Sequence, residues 1–428
     1  MVIFEGRSSL FTPLRPLPPV AVEPERAPAA ASPEAVLLRL GVALHAAGLP
    51  SHELEGALAE TARTLGVEAQ FFSTPTSLFT ALGEGESQRT HLSRVEPGDP
   101  DLSRLVDLHR LVERVPEVKP TAAAVGRRLE EIRARPPRYG RALTTLAFGL
   151  ASAGAAVFFG GGVGEVGASL GLGAGVGALV QSLGRRGVSP RVGEALGAFL
   201  LTVSAALLAW RLPALADRTV TLAGLIVLVP GLTLTVGLSE LARNHWISGT
   251  ARLAGAFTVF LTLGLGVALG QRVGSLLPGY VPSGPAAPLG PWATWVALAV
   301  MPLAFTVLFR ARPRDLGWIL GAGWLGFLGA RLGAATLGPE LGAFAGAAVV
   351  GVVGNLASRW LGLPATVAQV PGIILLVPGS LGYQSVSSFL AQDVLTGVES
   401  AFRMVLVGAS LVGGLFLSNA ILASRRAG

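Results

Sequence analysis

From position 142 onward the chain alternates long apolar runs with short polar joints. Before it, apolar residues recur singly, at helical or strand spacing. The apolar runs fall at about 142–160, 163–181, 192–210, 219–241, 247–270, 292–309, 316–334, 339–357, 364–390 and 397–419. A hydrocarbon layer is about 30 Å thick, and a helix rises about 1.5 Å per residue, so most runs suit one crossing each. The fourth and ninth runs are long and carry Pro230-Gly231 and Pro378-Gly379 inside them, which predicts interrupted helices. The pattern defines a polytopic α-helical membrane protein preceded by a soluble part.

The soluble part, 33–141, reads as a small α+β domain. Ser32-Pro33-Glu34 opens a helix with Val36, Leu37, Leu40, Ala43 and Leu44 on one face, and Gly48 ends it. Ser51 is expected to cap the next helix, whose apolar face is Leu54, Leu58, Ala62 and Leu65. Strands are predicted at Gln70–Ser73, Ser77–Leu82 and Thr90–Val95, then a turn at Pro97–Pro100. Leu102, Leu105, Leu108, Leu111 and Val115 line a third helix, and Lys119–Arg135 forms a fourth before Pro136-Pro137. Residues 1–32 never form an apolar signal core, and their Pro/Ala/Glu content predicts a disordered leader.

Composition sharpens this division. Charged residues make up 14% of the chain against about 25% in soluble domains, and the deficit lies after Arg141. The net charge of +7 could suggest nucleic acid, but the arginines sit at the ends of apolar runs, where they report topology. With the amino-terminal part in the cytoplasm, the inner ends carry Arg133, Arg135, Arg138, Arg141, Arg185, Arg186, Arg191, Arg243, Arg310, Arg312, Arg314, Arg359, Arg425 and Arg426. The outer ends carry only Arg211, Arg218, Arg272 and Arg331. This asymmetry fits ten crossings of an inner (plasma) membrane with both termini cytoplasmic. There is no cysteine, which excludes disulfides and thiolate metal sites.

A repeat underlies the membrane part. Leu225–Gly231 matches Ile373–Gly379 without a gap at an offset of 148 residues, and Gly224/Gly372 and Gly249/Gly397 keep that offset. The first five-helix repeat spans 142–270 and the second 292–419, with an external loop at 271–291 and a cytoplasmic tail at 420–428. Five crossings per copy force the second to enter the membrane upside down, the plan of two inverted repeats found in many secondary transporters.

Interrupted backbone at membrane depth is tolerated where it lines protein or a polar cavity. The expected substrate site is therefore Pro230, Gly231, Thr233 and Thr235 in one copy and Pro378, Gly379, Ser380, Tyr383 and Gln384 in the other. Arg403, inside the tenth span, can meet a substrate carboxylate, or alternatively reach the interface by snorkelling. Arg252 in the fifth span has the same two readings. Glu165, Glu194, Glu240, Glu340 and Glu399, near span ends, are candidates for proton coupling, with helix-end satisfaction as the plain alternative. Asn355 and Gln369 are neutral in-span candidates. The histidines are too scattered for a metal site, and Ser73, Ser77 and His91 do not establish a catalytic constellation. No phosphate loop supports ATP hydrolysis, and no cofactor is implied.

Residues Leu40–Ala43, Ala47-Gly48, Ser51–Glu55, Leu65-Gly66, Phe72–Thr76, Ser93–Gly98 and Asp101–Leu105, with Val377–Ser380, occur in an order that resembles the threonine/serine exporter family. The resemblance covers about residues 34–419. It implies a small cytoplasmic domain, ten membrane helices and export of threonine and serine driven by the proton-motive force. Related two-component proteins imply dicarboxylates as an alternative substrate. A small-solute channel and, further off, a membrane-bound hydrolase are competing classes. The partners expected are a small polar or zwitterionic solute, the lipid bilayer, protons and a second copy of the chain, and not nucleic acid.

Overall fold

Proline at the first helical position starts the structure: Ser32 Oγ accepts a hydrogen bond from Ala35 N (3.2 Å), and α1 runs over Pro33–Ala46. The computed structural model describes residues 32–96, 98, 100–118, 120–281, 284, 286–377, 379–390 and 392–422. The leader before Ser32, Pro97, Asp99, Lys119, Pro378 and the Arg425-Arg426 pair lie outside the described residues.

Gly48, at φ +91°, turns the chain into α2 (Ser51–Thr64). An antiparallel sheet follows in the order β1 (Ala69–Thr74), β2 (Ser77–Leu82), β3 (Arg89–Arg94). The strands differ from their predicted limits by one residue or none. Helices α3 (Leu102–Val118) and α4 (Ala122–Arg133) complete the domain. Leu40, Leu44, Leu54, Leu58, Leu78, Leu102, Leu108, Leu129 and Ile132 are buried together, so the helical faces and the inner face of β2 share one core. That core extends without interruption to Ala311 and Ile319 of the membrane part.

The membrane part contains α5 (Arg141–Phe158), α6 (Val163–Arg185), α7 (Pro190–Arg211), α8 (Asp217–Leu225), α9 (Gly231–Ala242), α10 (Trp246–Gly274), α11 (Trp292–Leu308), α12 (Leu316–Leu337), α13 (Pro339–Leu361), α14 (Thr366–Ile374), α15 (Gly379–Leu390) and α16 (Val394–Ile421). Among the described residues, seven helices are long and apolar enough to cross a membrane, and α14 with α15 makes an eighth as one bent span. The chain is thus a polytopic α-helical membrane protein with a small α+β domain at its amino-terminal end. Helix α9 has 12 residues, about 18 Å, and needs α8 to approach membrane thickness.

Helix neighbours recur along the chain. Helix α7 packs on α10 as α13 packs on α16, α9 on α10 as α15 on α16, and α6 on α8 as α12 on α14. Glycine creates the closest of these approaches. A Cβ on Gly266 would stand 2.6 Å from the Ala195 carbonyl, and one on Gly414, 148 positions later, would strike the Phe344 carbonyl. Small residues let the backbones meet where lipid supplies no hydrophobic drive.

The soluble domain touches three interhelical connections. Ser51 meets Glu240 and Ser248 around the α9–α10 joint, Leu102 N donates to the Phe309 carbonyl (3.0 Å) at the α11–α12 joint, and Val106 packs on Leu363 and Val367 at the α13–α14 joint. These joints therefore lie on one face of the bundle, the domain face.

Candidate functional site

The two interruptions have the same local build. Helix α8 ends at Leu225 and α9 begins at Gly231; α14 ends at Ile374 and α15 begins at Gly379. Leu228 N donates to Leu225 O (2.8 Å), and Leu376 N donates to Ile373 O (2.7 Å), the same turn 148 residues later. Pro230, at ψ 43°, leaves the helical region, and the carbonyls of Val227 and Leu228 accept no backbone hydrogen bond among the described residues. Carbonyls freed in this way are the groups with which interrupted membrane helices coordinate solutes and ions.

The breaks also meet each other. A Cβ on Gly231 would overlap Cγ1 of Val377 and stand 3.9 Å from Gly379 Cα. A Cβ on Gly379 would stand 2.5 Å from Cγ1 of Val229 and 3.9 Å from Gly231 Cα. Each glycine thus makes room for the valine that precedes the other's Pro-Gly pair. Further out, Gly264 of α10 faces Val386 of α15, and Gly408 of α16 faces Leu238 of α9.

The polar side chains beyond the breaks divide by orientation. Thr235 is buried and returns its hydroxyl to the Gly231 carbonyl (3.1 Å), and Tyr383 is buried in an apolar cluster with Phe260 and Val386. Thr233 and Ser380 are half-buried, whereas Gln384 is exposed. Ser385 ties α15 to α16 through the Gly397 carbonyl (2.8 Å). Ser380 also lines a cavity of about 280 Å³ with Pro339, Ala343, Leu376, Val377 and Val407. That volume is close to the lower end, about 300 Å³, of pockets that hold small molecules. Pro339 opens α13, at the end of that helix away from the domain face.

Charged candidates fall at both ends of the bundle. Beside the cavity's end of α13, Arg403 is held by Glu340 (3.6 Å) and Glu399 (2.9 Å), and its side chain is 51% exposed. On the domain face, Glu240 is fully buried and accepts from Arg252 Nε (2.9 Å) and from Ser51 N of α2 (3.1 Å). Arg252 therefore has a partner inside the bundle. Glu165 is buried and committed to helix ends, receiving Gly162 N and Ala216 N, each at 2.8 Å. Glu194 pairs with Arg191 (3.3 Å), whose other nitrogen reaches the Gly255 carbonyl (3.5 Å). Asn355 and Gln369 join α13, α14 and α16: Asn355 Nδ2 donates to Asn419 Oδ1 (2.9 Å), and Gln369 Nε2 to Asn355 Oδ1 (3.4 Å).

Ser51 corrects an expectation. Pro50, with extended φ and ψ, is the cap residue of α2, and its own side chain makes no capping hydrogen bond. The serine hydroxyl pairs with Ser248 Oγ (2.7 Å), and the helix-end N–H goes to Glu240. A carboxylate from another domain thus occupies the positive end of α2. Around it, the His52 and His245 rings lie 6.0 Å apart, tilted by 50°, and His245 lies 3.9 Å from Glu55. Burial, with Arg243 and His245 nearby, depresses the His52 pKa to about 3; burial pushes that of Glu55 up. Glu240 and Ser51 each stand out in the sequence, but the 189 positions between them hide their contact. Ser73 and His91 stand on β1 and β3 with β2 between them, and His91 is exposed.

These features define a helical membrane protein with two touching backbone interruptions and a soluble domain docked on one face. A family model described as "Putative threonine/serine exporter" matches residues 35–274, and a second, "Threonine/Serine exporter, ThrE", matches residues 294–421. The chain belongs to the threonine/serine exporter family. It is similar to pheromone-regulated membrane protein 10 of Debaryomyces hansenii, 27% identical over 86% of this chain and 37% of the relative. It is also similar to a threonine/serine exporter of Corynebacterium glutamicum, 23% identical over 74% of this chain and 67% of the relative. A "Probable threonine/serine exporter" of Mycobacterium tuberculosis is 26% identical over 77% of this chain and 65% of the relative. The chain spans between a third and a half of the length of the fungal relatives. No solved structure matches.

Proposed function

We propose that this chain is a secondary exporter of small polar metabolites, threonine and serine foremost and dicarboxylates as the second class, working by alternating access. The reciprocal seating of Gly231 against Val377 and Gly379 against Val229 carries this reading. Residues 142–270 and 292–419 act as two inverted repeats whose interruptions form one central site, with 271–291 as the external loop. Recurring helix neighbours support that division, as does the single face shared by the three docked joints, which suits ten crossings. The domain face is cytoplasmic on the arginine asymmetry, in an inner membrane.

Free carbonyls at the breaks receive a substrate ammonium, and the amino-terminal ends of α9 and α15 favour its carboxylate. Thr233 and Ser380 offer hydroxyls. The Glu240–Arg252 pair and the docked α2 close the inner mouth, while the cavity beside Ser380 opens to the other side. Arg403 is occupied by Glu340 and Glu399 in this arrangement. Protons taken up by these carboxylates release the guanidinium, which links substrate exit to proton entry.

The test is efflux from sealed vesicles loaded with labelled threonine, serine or succinate, with and without an imposed pH gradient. Saturable, gradient-stimulated efflux with counterflow is expected. Efflux without counterflow identifies a channel, and no efflux of any amino acid or dicarboxylate removes the reading.

A further inference from the structure

Where the soluble domain meets the membrane part, a cavity of about 440 Å³ is lined by Asp107, Arg135, Arg138, Arg312, Pro313 and Arg314. Four guanidiniums thus face one carboxylate. That carboxylate is spent: Asp107 Oδ2 receives Arg135 (2.8 Å) and Oδ1 receives Arg312 Nη2 (2.6 Å). Arg312 is 5% exposed, and its Nη2 also reaches the Ser103 carbonyl (3.3 Å). Its Nη1 is buried and has no hydrogen-bond partner. A buried charged donor left unpaired costs on the order of 1–3 kcal/mol or more, and Asp315 Oδ2 beside it is likewise buried and unpaired. Desolvation lowers the Arg312 pKa, with Asp107 opposing. Asp315 adjoins the site, 3.9 Å from Arg314, and Arg110 stands within electrostatic reach. Five arginines against two aspartates still leave three positive charges.

We infer that this cavity binds a phosphoryl anion, held by Arg138 and Arg314, with Arg312 buried behind them in the cavity wall. Guanidinium forks match the several acceptor oxygens of a phosphate group better than a lone carboxylate does. The site's position fits two sources. Arg138 precedes α5 by three residues and Arg314 precedes α12 by two, so both stand at the rim of the membrane part, where anionic lipid headgroups lie. A free phosphate can enter from the solvent. In either case the ligand ties the α11–α12 joint to α3 and to the segment between α4 and α5, and so fastens the domain to the bundle. This inference does not rest on the transport reading.

The experiment follows the unfolding midpoint of the purified full chain in neutral detergent at constant ionic strength. The probes are inorganic phosphate, phosphatidylglycerol, phosphatidylcholine and acetate. Arg312→Ala also frees Asp107 and Ser103, so the informative variant is the exposed pair Arg138→Gln with Arg314→Gln. Inorganic phosphate or phosphatidylglycerol is expected to raise the midpoint saturably, with half-saturation weakened about tenfold in the double variant. A response to phosphate alone assigns a soluble anion; one to phosphatidylglycerol alone assigns a lipid headgroup. Equal responses to acetate or phosphatidylcholine, no response at all, or a double variant that behaves as the parent chain would overturn the site.

Discussion

At the residue scale, Glu240 has the most specific surroundings of the five carboxylates singled out in the sequence. It is fully buried, paired with Arg252 and closed over by the first N–H of α2. Removing one member of such a pair leaves the other charge uncompensated. Glu240→Ala should therefore destabilise the chain by about 3 kcal/mol, and Arg252→Leu added to it should restore much of that. Denaturant unfolding of the single and double variants checks the claim; additive losses would show that the two do not act as a pair.

His52 makes the same joint sensitive to pH. Its folded pKa is depressed to about 3, while the unfolded chain takes the proton near 6.5. The unfolded state holds more protons between those values, so stability rises with pH across that window and the contribution is complete above 6.5. Glu55 opposes it: its pKa is raised above 4.5, and stability from that group falls as pH rises through the shifted value. The His52→Gln variant isolates the histidine part. Between pH 7 and 5 the parent chain's unfolding midpoint should fall more steeply than the variant's; parallel profiles would remove His52 as the cause.

At the element scale, the interruptions are defined by what each glycine lacks. A methyl group on Gly231 overlaps Val377, and one on Gly379 crowds Val229. Gly231→Ala is expected to reduce transport about tenfold or more, since packed backbones yield little to an added methyl. Val377→Ala in the same chain should recover part of it. Initial efflux rates of the single and double variants decide the matter, and failure of the rescue would place Val377 elsewhere in the working protein.

The helices and strands were readable because each rests on local pattern. Leu102, Leu105 and Leu108 announce α3, and β2 keeps its predicted limits, with Leu78, Thr80 and Leu82 buried in alternation. The breaks were readable because a Val-Pro-Gly recurs at matched positions 148 residues apart; Pro-Gly alone is not enough, since Pro371-Gly372 lies inside α14. The contacts across them were not. Val229 and Val377 look like ordinary span residues until the fold brings them onto the opposite glycines. Ser51 could not be seen as a docking residue because its partner, Glu240, lies in another domain. Gln384, placed with the substrate group by its distance from Pro378, faces outward, because adjacent helix positions point about 100° apart.

At the scale of the whole molecule, the amino-terminal domain and the cavity stand toward opposite ends of the bundle. The soluble domain reaches three joints on the domain face, while the cavity beside Val377 and Ser380 lies toward the opposite end. Alternating access requires the reverse arrangement as well, in which the Glu240–Arg252–Ser51 contact opens and the cleft near Pro339 shuts. A chain without native cysteine permits a direct measurement of this. Single cysteines at Thr233 and Ser380, labelled by a membrane-impermeant reagent from either side of sealed vesicles, report access to the central site. Both positions should react from both sides, and threonine should slow the labelling. Reaction confined to one side, unchanged by any transported solute, would contradict a shared carrier site between the two interruptions.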